Sequence, residues 1–307
     1  MMQENKRLAI AIPTYNRAEY LDLCLTLHLP ILKQWAIPVF ISDNGSTDHT
    51  KEIVKKHSSE YDFIHYYLNE TTIGPDENFE KALRYPQTEY IWLLGDTYLL
   101  PEQGIKALLE SVMTESYDAV IFNVADRASE IDEQVYTNQN RLLSDIGWHM
   151  TCLSCLVYSK KLLDSADFIR YYDTNFLQLG IILEYIAGKP FQIRWFSTYS
   201  VLGLKIVGVP KHSWENQILE IWTKRWANFL FSLPPSYDLD SKLKCTMDHG
   251  LKSGIFTFKA LKRLRKKSIL NIEAYHQYSR YFPFTVSTDT LLLRLIATLP
   301  GWVIRLF

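Results

Sequence analysis

The chain has 307 residues, enough for one large or two modest domains with a real core. Hydrophobic residues make up 47% and charged residues 22%, an ordinary globular balance that argues against a disordered chain. Lys plus Arg (33) nearly equals Asp plus Glu (34), so net charge makes no case for a nucleic-acid partner.

The first 125 residues alternate strand-like and helix-like stretches. The N-terminus, MMQENKRLAIAIP, is expected to be no signal peptide, because its apolar run is short and reads as a strand, LAIAIP (8–13). A helix pattern follows from about Glu19 to His28, then a strand, PVFISD (38–43). STDHTKEIVKKHSSE (46–60) reads as a helix with Ser46 or Thr47 at its start and Asp48 in its first turn, where an acid favours the helix dipole. FIHYYLN (63–69) is a third strand, DENFEKALRY (76–85) a helix, YIWLLGD (90–96) a fourth strand, PEQGIKALLESVM (101–113) a helix with Pro in its first turn, and DAVIFNV (118–124) a fifth strand. This alternation predicts a mainly parallel sheet with helices on both faces.

From about 126 to 210 the pattern is less regular. CLSCLVYSKKLL reads as a buried segment, FLQLGIILEYIAG as a buried helix, and FQIRWFSTYSVL as a late strand. Beyond Trp214 the chain reads as helical, with SWENQILEIWTKRWANFLFSL the clearest case. FKALKRLRKK (258–267) is basic, and LLLRLIATLPGWVIRLF (291–307) is apolar with two arginines. No segment offers the roughly 18 uninterrupted apolar residues of a spanning helix. Of the four cysteines, Cys152 and Cys155 form a lone C-x-x-C with no second pair, so Cys24, Cys152, Cys155 and Cys245 are read as free thiols of a reducing compartment rather than a zinc site.

In parallel α/β sheets ligands sit at the carboxyl ends of strands. The candidates are therefore Pro13 to Arg17, Asp43 to Ser46, Asn69 to Gly74, and Asp96 to Tyr98. In order, IPTYNRAEYL, ISDNGSTDHT, NETTIGPDENFEKAL and YIWLLGD resemble the nucleotide-sugar-binding half of a family 2 glycosyltransferase. The resemblance covers roughly the first 125 residues, and beyond them only GWHMTCLSCLVYSKKLL, as an acceptor-side segment. It implies the GT-A (Rossmann-like) α/β fold with a helical C-terminal extension. It also implies a division into a donor half (1–125), an acceptor half (126–212) and a helical region (213–307).

The resemblance assigns roles residue by residue. Tyr15 stacks on the base, with Pro13, Thr14 and Arg17 beside it, the last two reaching nucleotide or ribose-phosphate. Asp43, or Asn44 if the register differs by one, accepts a hydrogen bond from the base. Gly45 permits a tight turn, Gly74 supplies another, and Asn78 lines the following helix, where a purely structural role is as good a reading. Asp48 is better explained by the helix N-terminus than by ligand contact. Asp96 stands in the family's D-x-D position, but Thr97 and Tyr98 occupy the next two places, where a second acid would stand. Either Asp96 still helps to hold Mg²⁺ or Mn²⁺ on the donor diphosphate, or it touches ribose while Lys205, Lys211 and His212 neutralise the diphosphate. The general base is placed at Asp173, with Glu184, Asp126 and Asp145 as alternatives.

The function so implied is inverting transfer from a nucleoside-diphosphate sugar to a hydroxyl of a glycan, lipid-linked, in bacterial surface polysaccharide or lipopolysaccharide synthesis. A donor-binding but inactive assembly partner is the alternative. Nucleotidyl transfer is disfavoured because PTYNR is not a glycine-rich phosphate loop. Leu291, Leu292, Leu295, Ile296, Leu299, Trp302, Val303 and Phe307, interleaved with Arg294 and Arg305 and following the basic run, are expected to rest on an anionic membrane surface. The competing reading docks this tail on the protein or on a second subunit, which leaves oligomeric state open. The expected location is the cytoplasm, at the inner face of the bacterial cytoplasmic membrane.

Overall fold

The structure is a computed structural model in which residues 3–209, 215–300 and 303 are described. Among the described residues the strands are β1 (Leu8–Thr14), β2 (Val39–Asp43), β3 (Ile64–Leu68), β4 (Tyr90–Leu93), β5 (Tyr98–Leu99), β6 (Ala119–Val124), β7 (Gln134–Tyr136), β8 (Leu156–Ser159) and β9 (Ile193–Gly203). The helices are α1 (Ala18–Gln34), α2 (Thr50–Ser58), α3 (Pro75–Arg84), α4 (Glu102–Thr114), α5 (Gln139–Ile146), α6 (Lys160–Ser165), α7 (Leu177–Ile186), α8 (Trp226–Ser232), α9 (Leu239–Lys252), α10 (Phe258–Lys266), α11 (Ile272–Tyr278), α12 (Phe282–Thr285) and α13 (Thr290–Thr298). This is the expected mixed α/β fold, a central sheet surrounded by helices and followed by a helical C-terminal part.

The sheet order is β3-β2-β1-β4-β8-β6-β9-β5, with β7 also on β9. β3, β2, β1 and β4 are parallel, so Leu68, Asp43, Thr14 and Leu93 end on one edge. β1 and β4 are buried at every residue, as their near-continuous apolar sequences require. The expected fifth strand, β6, does not pair with β4. β8 lies between them, antiparallel to both, which keeps β6 parallel to β4. β8 is the short apolar run LVYS, too brief for periodicity to reveal.

α1 continues through Pro30 to Gln34, past the expected end at His28. A proline inside a helix costs about 3 kcal/mol. Leu29 and Leu32 are nearly fully buried, and burying each is worth about 1.5–3 kcal/mol, which offsets that loss. α2 starts at Thr50, so Asp48 precedes it rather than sitting in its first turn.

The chain divides into two compact units. One holds the sheet: the chain up to Asn138, Met150–Asp173, and the stretch from Leu177 to the end of the first described segment. Within it α7 is buried on nearly every side, and a Cβ at Gly180 would lie 2.5 Å from the Tyr171 ring, so only glycine fits that approach. The other unit holds Gln139–His149, Thr174–Phe176 and the described residues from Glu215 onward. Its helices enclose Phe256, Leu261, Leu264, Phe282, Leu293 and Ile296. A Cβ at Gly250 of α9 would fall 2.0 Å from the Thr285 carbonyl oxygen of α12, which explains the glycine there.

Candidate active site

The edge formed by the ends of β1, β2 and β4 gathers the strand-end residues into one polar network. Thr14, the last residue of β1, donates from Oγ1 to Asp96 Oδ2 at 2.9 Å. Arg17, one turn of loop later, donates from Nη1 to Asp96 Oδ1 at 3.3 Å. Asp96 is thus held on both oxygens by residues about 80 positions earlier, and only 4% of it is exposed. Burial pushes its carboxyl above the usual range, and Arg17 and Thr14 pull the other way without cancelling the effect. Gly95, just before it, donates its N–H to Ser154 Oγ at 2.9 Å, which fixes the approach of the chain to Asp96.

The loops after β1 and β2 are stitched together. Asn16, with φ of +50°, accepts from Thr47 N at 2.7 Å, and its own N–H donates to Ser46 Oγ at 2.8 Å. Asp48 accepts from Ala18 N at 2.9 Å and Thr50 N at 3.1 Å, tying the starts of α1 and α2. Asp43 is buried and accepts from Ser46 N at 2.9 Å and from the Tyr66 hydroxyl at 2.6 Å. Asn44 accepts from Ile73 N and donates to Ile73 O, both at 2.9 Å, clamping the 69–73 loop. Gly45 has φ of +75° and a Cβ there would meet Thr72 N at 3.3 Å, so its turn does need glycine.

Gly74 precedes α3 and Asn78 lies within it. Gly74 has φ of −57°, open to any residue, and its place is before Pro75 at the start of α3, with its N–H donating to Glu77 Oε2 at 3.0 Å. Asn78 is buried and bonded to Ser42 Oγ, Ser42 O and Asn69 Nδ2, so the structural alternative describes its visible role. Pro13 is a buried strand residue paired in register with Ser42, and Tyr15 is 45% exposed beside this edge.

Thr97 lies in the turn after Asp96, and Tyr98 opens β5. Thr97 is buried and its carbonyl accepts from Leu204 N at 2.8 Å, while Tyr98 and Leu99 pair with Gly203 and Leu202. The loop after β9 therefore runs beside Asp96, and Val209 O accepts from the Tyr20 hydroxyl of α1 at 3.2 Å. Lys205 lies on that loop and is exposed, whereas Lys211 and His212 lie outside the described residues. Behind Asp96, His28 accepts at Nε2 from Leu100 N (2.9 Å), so its proton sits on Nδ1, facing Cys24 O at 2.6 Å. Burial lowers its pKa to about 4, so the ring is neutral near pH 7.

Of the two readings of Asp96, one put Mg²⁺ or Mn²⁺ there, and the residues present do not fit a resident ion. Among the described residues no group of three or more His, Cys, Asp or Glu is arranged to hold a metal. Asp96 already has a guanidinium on one oxygen and a hydroxyl on the other. A second cation there would meet the repulsion of the first at low dielectric.

Of the base candidates, Asp173 is exposed, adopts φ of +62°, and donates its N–H to Asp76 Oδ2 at 2.8 Å. The neighbouring Tyr172 hydroxyl bonds Glu80, also on α3. Glu184 is a structural carboxyl, accepting from Arg170 at 3.0 Å and the Tyr171 hydroxyl at 2.7 Å. Asp145 belongs to the helical unit and pairs with Arg141. Asp126 follows β6 and accepts from the Ser200 hydroxyl. Sequence reasoning missed Asp76, Ser154, Tyr66 and Arg127. Arg127, after β6, lies close enough to Tyr98 and Cys152 to favour both their anions. Asp76 alone had a local signal, an acid after Gly-Pro at a helix start.

Residues 9–165, about half the chain, match the family model described as glycosyl transferase family 2. Abequosyltransferase RfbV of Salmonella typhimurium is 26% identical over 201 residues, 58% of this chain and 60% of its own length. The GalNAc(5)-diNAcBac-PP-undecaprenol beta-1,3-glucosyltransferase of Campylobacter jejuni is 27% identical over 119 residues, 38% of each chain. The chain thus spans less than two thirds of these curated relatives. Among solved structures, S. aureus TarS 1–349 in complex with UDP-GlcNAc superposes with a TM-score of 0.63 at 14% identity, over 94% of this chain and 87% of that one. The mannosyltransferase PcManGT of Pyrobaculum calidifontis, in complex with GDP-Man and Mn²⁺, gives 0.59 at 15% identity, over 96% and 87%. At these identities the structures speak to fold, and the fold is GT-A. With strand-end motifs, fold and family model in agreement, the chain belongs to glycosyl transferase family 2.

Proposed function

We propose that this protein transfers a sugar, with inversion, from a nucleoside-diphosphate sugar to a hydroxyl of a lipid-linked glycan. The observation that carries the reading is the buried Thr14–Asp96–Arg17 network at the edge where β1, β2 and β4 end. That is where parallel α/β sheets bind nucleotides. Tyr15 offers an exposed aromatic face for the base, and Asp43, whose oxygens already hold Ser46 N and the Tyr66 hydroxyl, shapes the end of β2 beneath it. The donor half is residues 1–125 and the acceptor half 126–212.

In the reaction the acceptor oxygen forms a bond to the anomeric carbon while the bond from that carbon to the diphosphate oxygen breaks. The electron pair leaves with the nucleoside diphosphate, and the acceptor proton passes to the Asp173 carboxylate. The relatives named as an abequosyltransferase and as a glucosyltransferase for a PP-undecaprenol-linked glycan support a bacterial surface-glycan acceptor.

Attachment to an anionic membrane surface belongs to the same reading. No described helix is long and apolar enough to cross a membrane. Leu291 (74%), Leu292 (41%) and Leu295 (52%) of α13 are exposed, and α10 presents Lys259, Arg263 and Lys266 to solvent. The expectation that Ile296 joins this surface is corrected: it is 3% exposed and packs with Leu293 in the helical core. Trp302 and Phe307 lie outside the described residues.

The test is a screen of uridine, guanosine, thymidine and cytidine diphosphate sugars with a polyprenyl-diphosphate glycan acceptor. Release of nucleoside diphosphate from one donor, a product of inverted anomeric configuration, and loss of both in Asp96→Ala are expected. One observation favours a second reading, a donor-binding but inactive partner: Thr97 and Tyr98 stand where the family places a second acid. Calorimetric binding of a donor with no product in any combination would decide for it.

A further inference from the structure

We propose that Arg17, and not a carboxylate-bound divalent cation, neutralises the departing diphosphate in this chain. The inference rests on the donor reading above and names the group that performs its electrostatic step. Three observations converge on it.

The first is that both acids at this edge are committed. Asp43 holds Ser46 N and the Tyr66 hydroxyl, and Asp96 holds Thr14 and Arg17. A metal-assisted site needs a carboxylate with an oxygen turned outward to a small hard cation. The second is the fate of the two residues after Asp96. Thr97 O accepts from Leu204 N and Tyr98 pairs with Gly203, so the turn that carries Asp96 is tied to β9 within two residues and offers no second acid.

The third is Arg17 itself. Its side chain is 30% exposed against 5% for Asp96, so Arg17 runs from the buried carboxylate out to solvent. Nη1 serves Asp96 at 3.3 Å. A guanidinium carries five N–H donors in a rigid plane. One edge on Asp96 leaves the other for phosphoryl oxygens, in the bidentate geometry that suits them. Asp96 then acts as the orienting counter-ion of Arg17, and Thr14 orients Asp96.

In the transfer step the bond from anomeric carbon to diphosphate oxygen breaks and its electron pair stays on that oxygen. The diphosphate gains one unit of negative charge as it leaves. Arg17, already charged and already placed, meets that charge without recruiting an ion. Such preorganised charge contributes more at the transition state than in the ground state.

The experiment uses the full chain, stripped of metal by exhaustive chelation, with nucleosides and nucleoside diphosphates as calorimetric probes. For the wild type, the Kd for the preferred diphosphate is expected to agree within about twofold in EDTA and in millimolar Mn²⁺. Arg17→Gln is expected to weaken the diphosphate roughly 30-fold or more and the parent nucleoside by less than about threefold, with Arg17→Lys recovering part of the loss. The retained nucleoside affinity shows that the variant is folded. Transfer by the wild type in EDTA is expected to match that in Mn²⁺. Tightening of the diphosphate by Mn²⁺ of about tenfold or more, or equal loss of nucleoside and diphosphate in Arg17→Gln, overturns the assignment of Arg17 while the donor reading stands. Failure of the wild type to bind any of the four diphosphates overturns the donor reading, and the role of Arg17 with it.

Discussion

The backbone N–H of Asp173 donates to Asp76 Oδ2 at 2.8 Å, across 97 residues of sequence. Asp173 sits at φ of +62°, a conformation that costs a non-glycine residue on the order of 1–3 kcal/mol and that persists only when surroundings enforce it. Asp76, in the first turn of α3, supplies that enforcement, and the Tyr172–Glu80 bond on the next turn adds to it. Such outliers cluster at sites where a side chain must be aimed, which is the physical ground for giving Asp173 the role of base.

That assignment separates two variants. Asp173→Asn keeps the shape and the tolerance of Asn for positive φ, so stability should change by less than about 0.5 kcal/mol. It removes the proton acceptor, so kcat should fall about 10²- to 10⁴-fold with donor Kd unchanged. Asp76→Ala should lower kcat by roughly tenfold through misplacement and leave the pH profile where it was, since the base is still present. Steady-state kinetics over a pH series checks both. Full activity in Asp173→Asn would show that another group takes the proton.

The edge carrying Asp96 was legible in sequence because the strands leading to it are local patterns. LAIAIP, PVFISD and YIWLLGD are apolar runs that end on turn or acidic residues, and none ends more than three residues from a structural strand end. What sequence did not disclose is long-range. Asp96 takes its partners from 79 and 82 residues away. β8 enters between β4 and β6 from residue 156, and nothing in DAVIFNV signals that its neighbour comes from so far along the chain. The helix pattern read from sequence stops at His28, whereas the burial of Leu29 and Leu32 that carries α1 through Pro30 to Gln34 is tertiary. Gly45 and Gly74 look alike in sequence, and only the backbone angles show that the first needs glycine and the second does not.

Asp96 is expected to limit stability. Burial raises its folded pKa above the ordinary carboxylate value despite Arg17 and Thr14. A group with a raised folded pKa binds its proton more tightly when folded, so stability falls as pH rises from the unfolded value through the folded one. Asp96→Asn removes that cost. Its melting temperature should exceed that of the wild type at pH 7.5, and the gain should vanish as pH falls through the carboxylate range. Transfer should be lost in the same variant, the usual exchange of stability for function. Thermal melts at four or five pH values decide it: an Asn variant less stable at pH 7.5 would mean that the Arg17 pair outweighs burial.

His28 should act with the opposite slope. Its pKa falls from 6.5 unfolded to about 4 folded, because burial disfavours the imidazolium. The stability it contributes is complete above pH 6.5 and drains away as pH falls towards 4, by on the order of 3 kcal/mol. The neutral ring joins Cys24 O of α1 to Leu100 N, just beyond the strand that follows Asp96. His28→Gln should be less stable than the wild type at pH 7.5, and the gap should narrow by pH 5. Denaturant unfolding at both values measures it. A gap of constant size would show that His28 does not titrate in this window.

α13 tests whether the apolar C-terminal region serves the fold or a surface, because its two faces differ. Leu293 and Ile296 are 1% and 3% exposed and pack against Leu261, Leu264 and Phe282, whereas Leu291, Leu292 and Leu295 face outward. Leu293→Ala should cost about 2–5 kcal/mol, the range for a leucine removed from a packed core. Replacing Leu291, Leu292 and Leu295 together by serine should leave the unfolding midpoint nearly unchanged, since exposed positions contribute little. On vesicles containing phosphatidylglycerol the triple variant should partition several-fold less than the wild type, and raised salt should weaken both through the basic face of α10. Equal partitioning of the two proteins would remove the lipid role from these leucines. A large loss of stability in the triple variant would instead show that they are covered in solution, by a second copy of the chain.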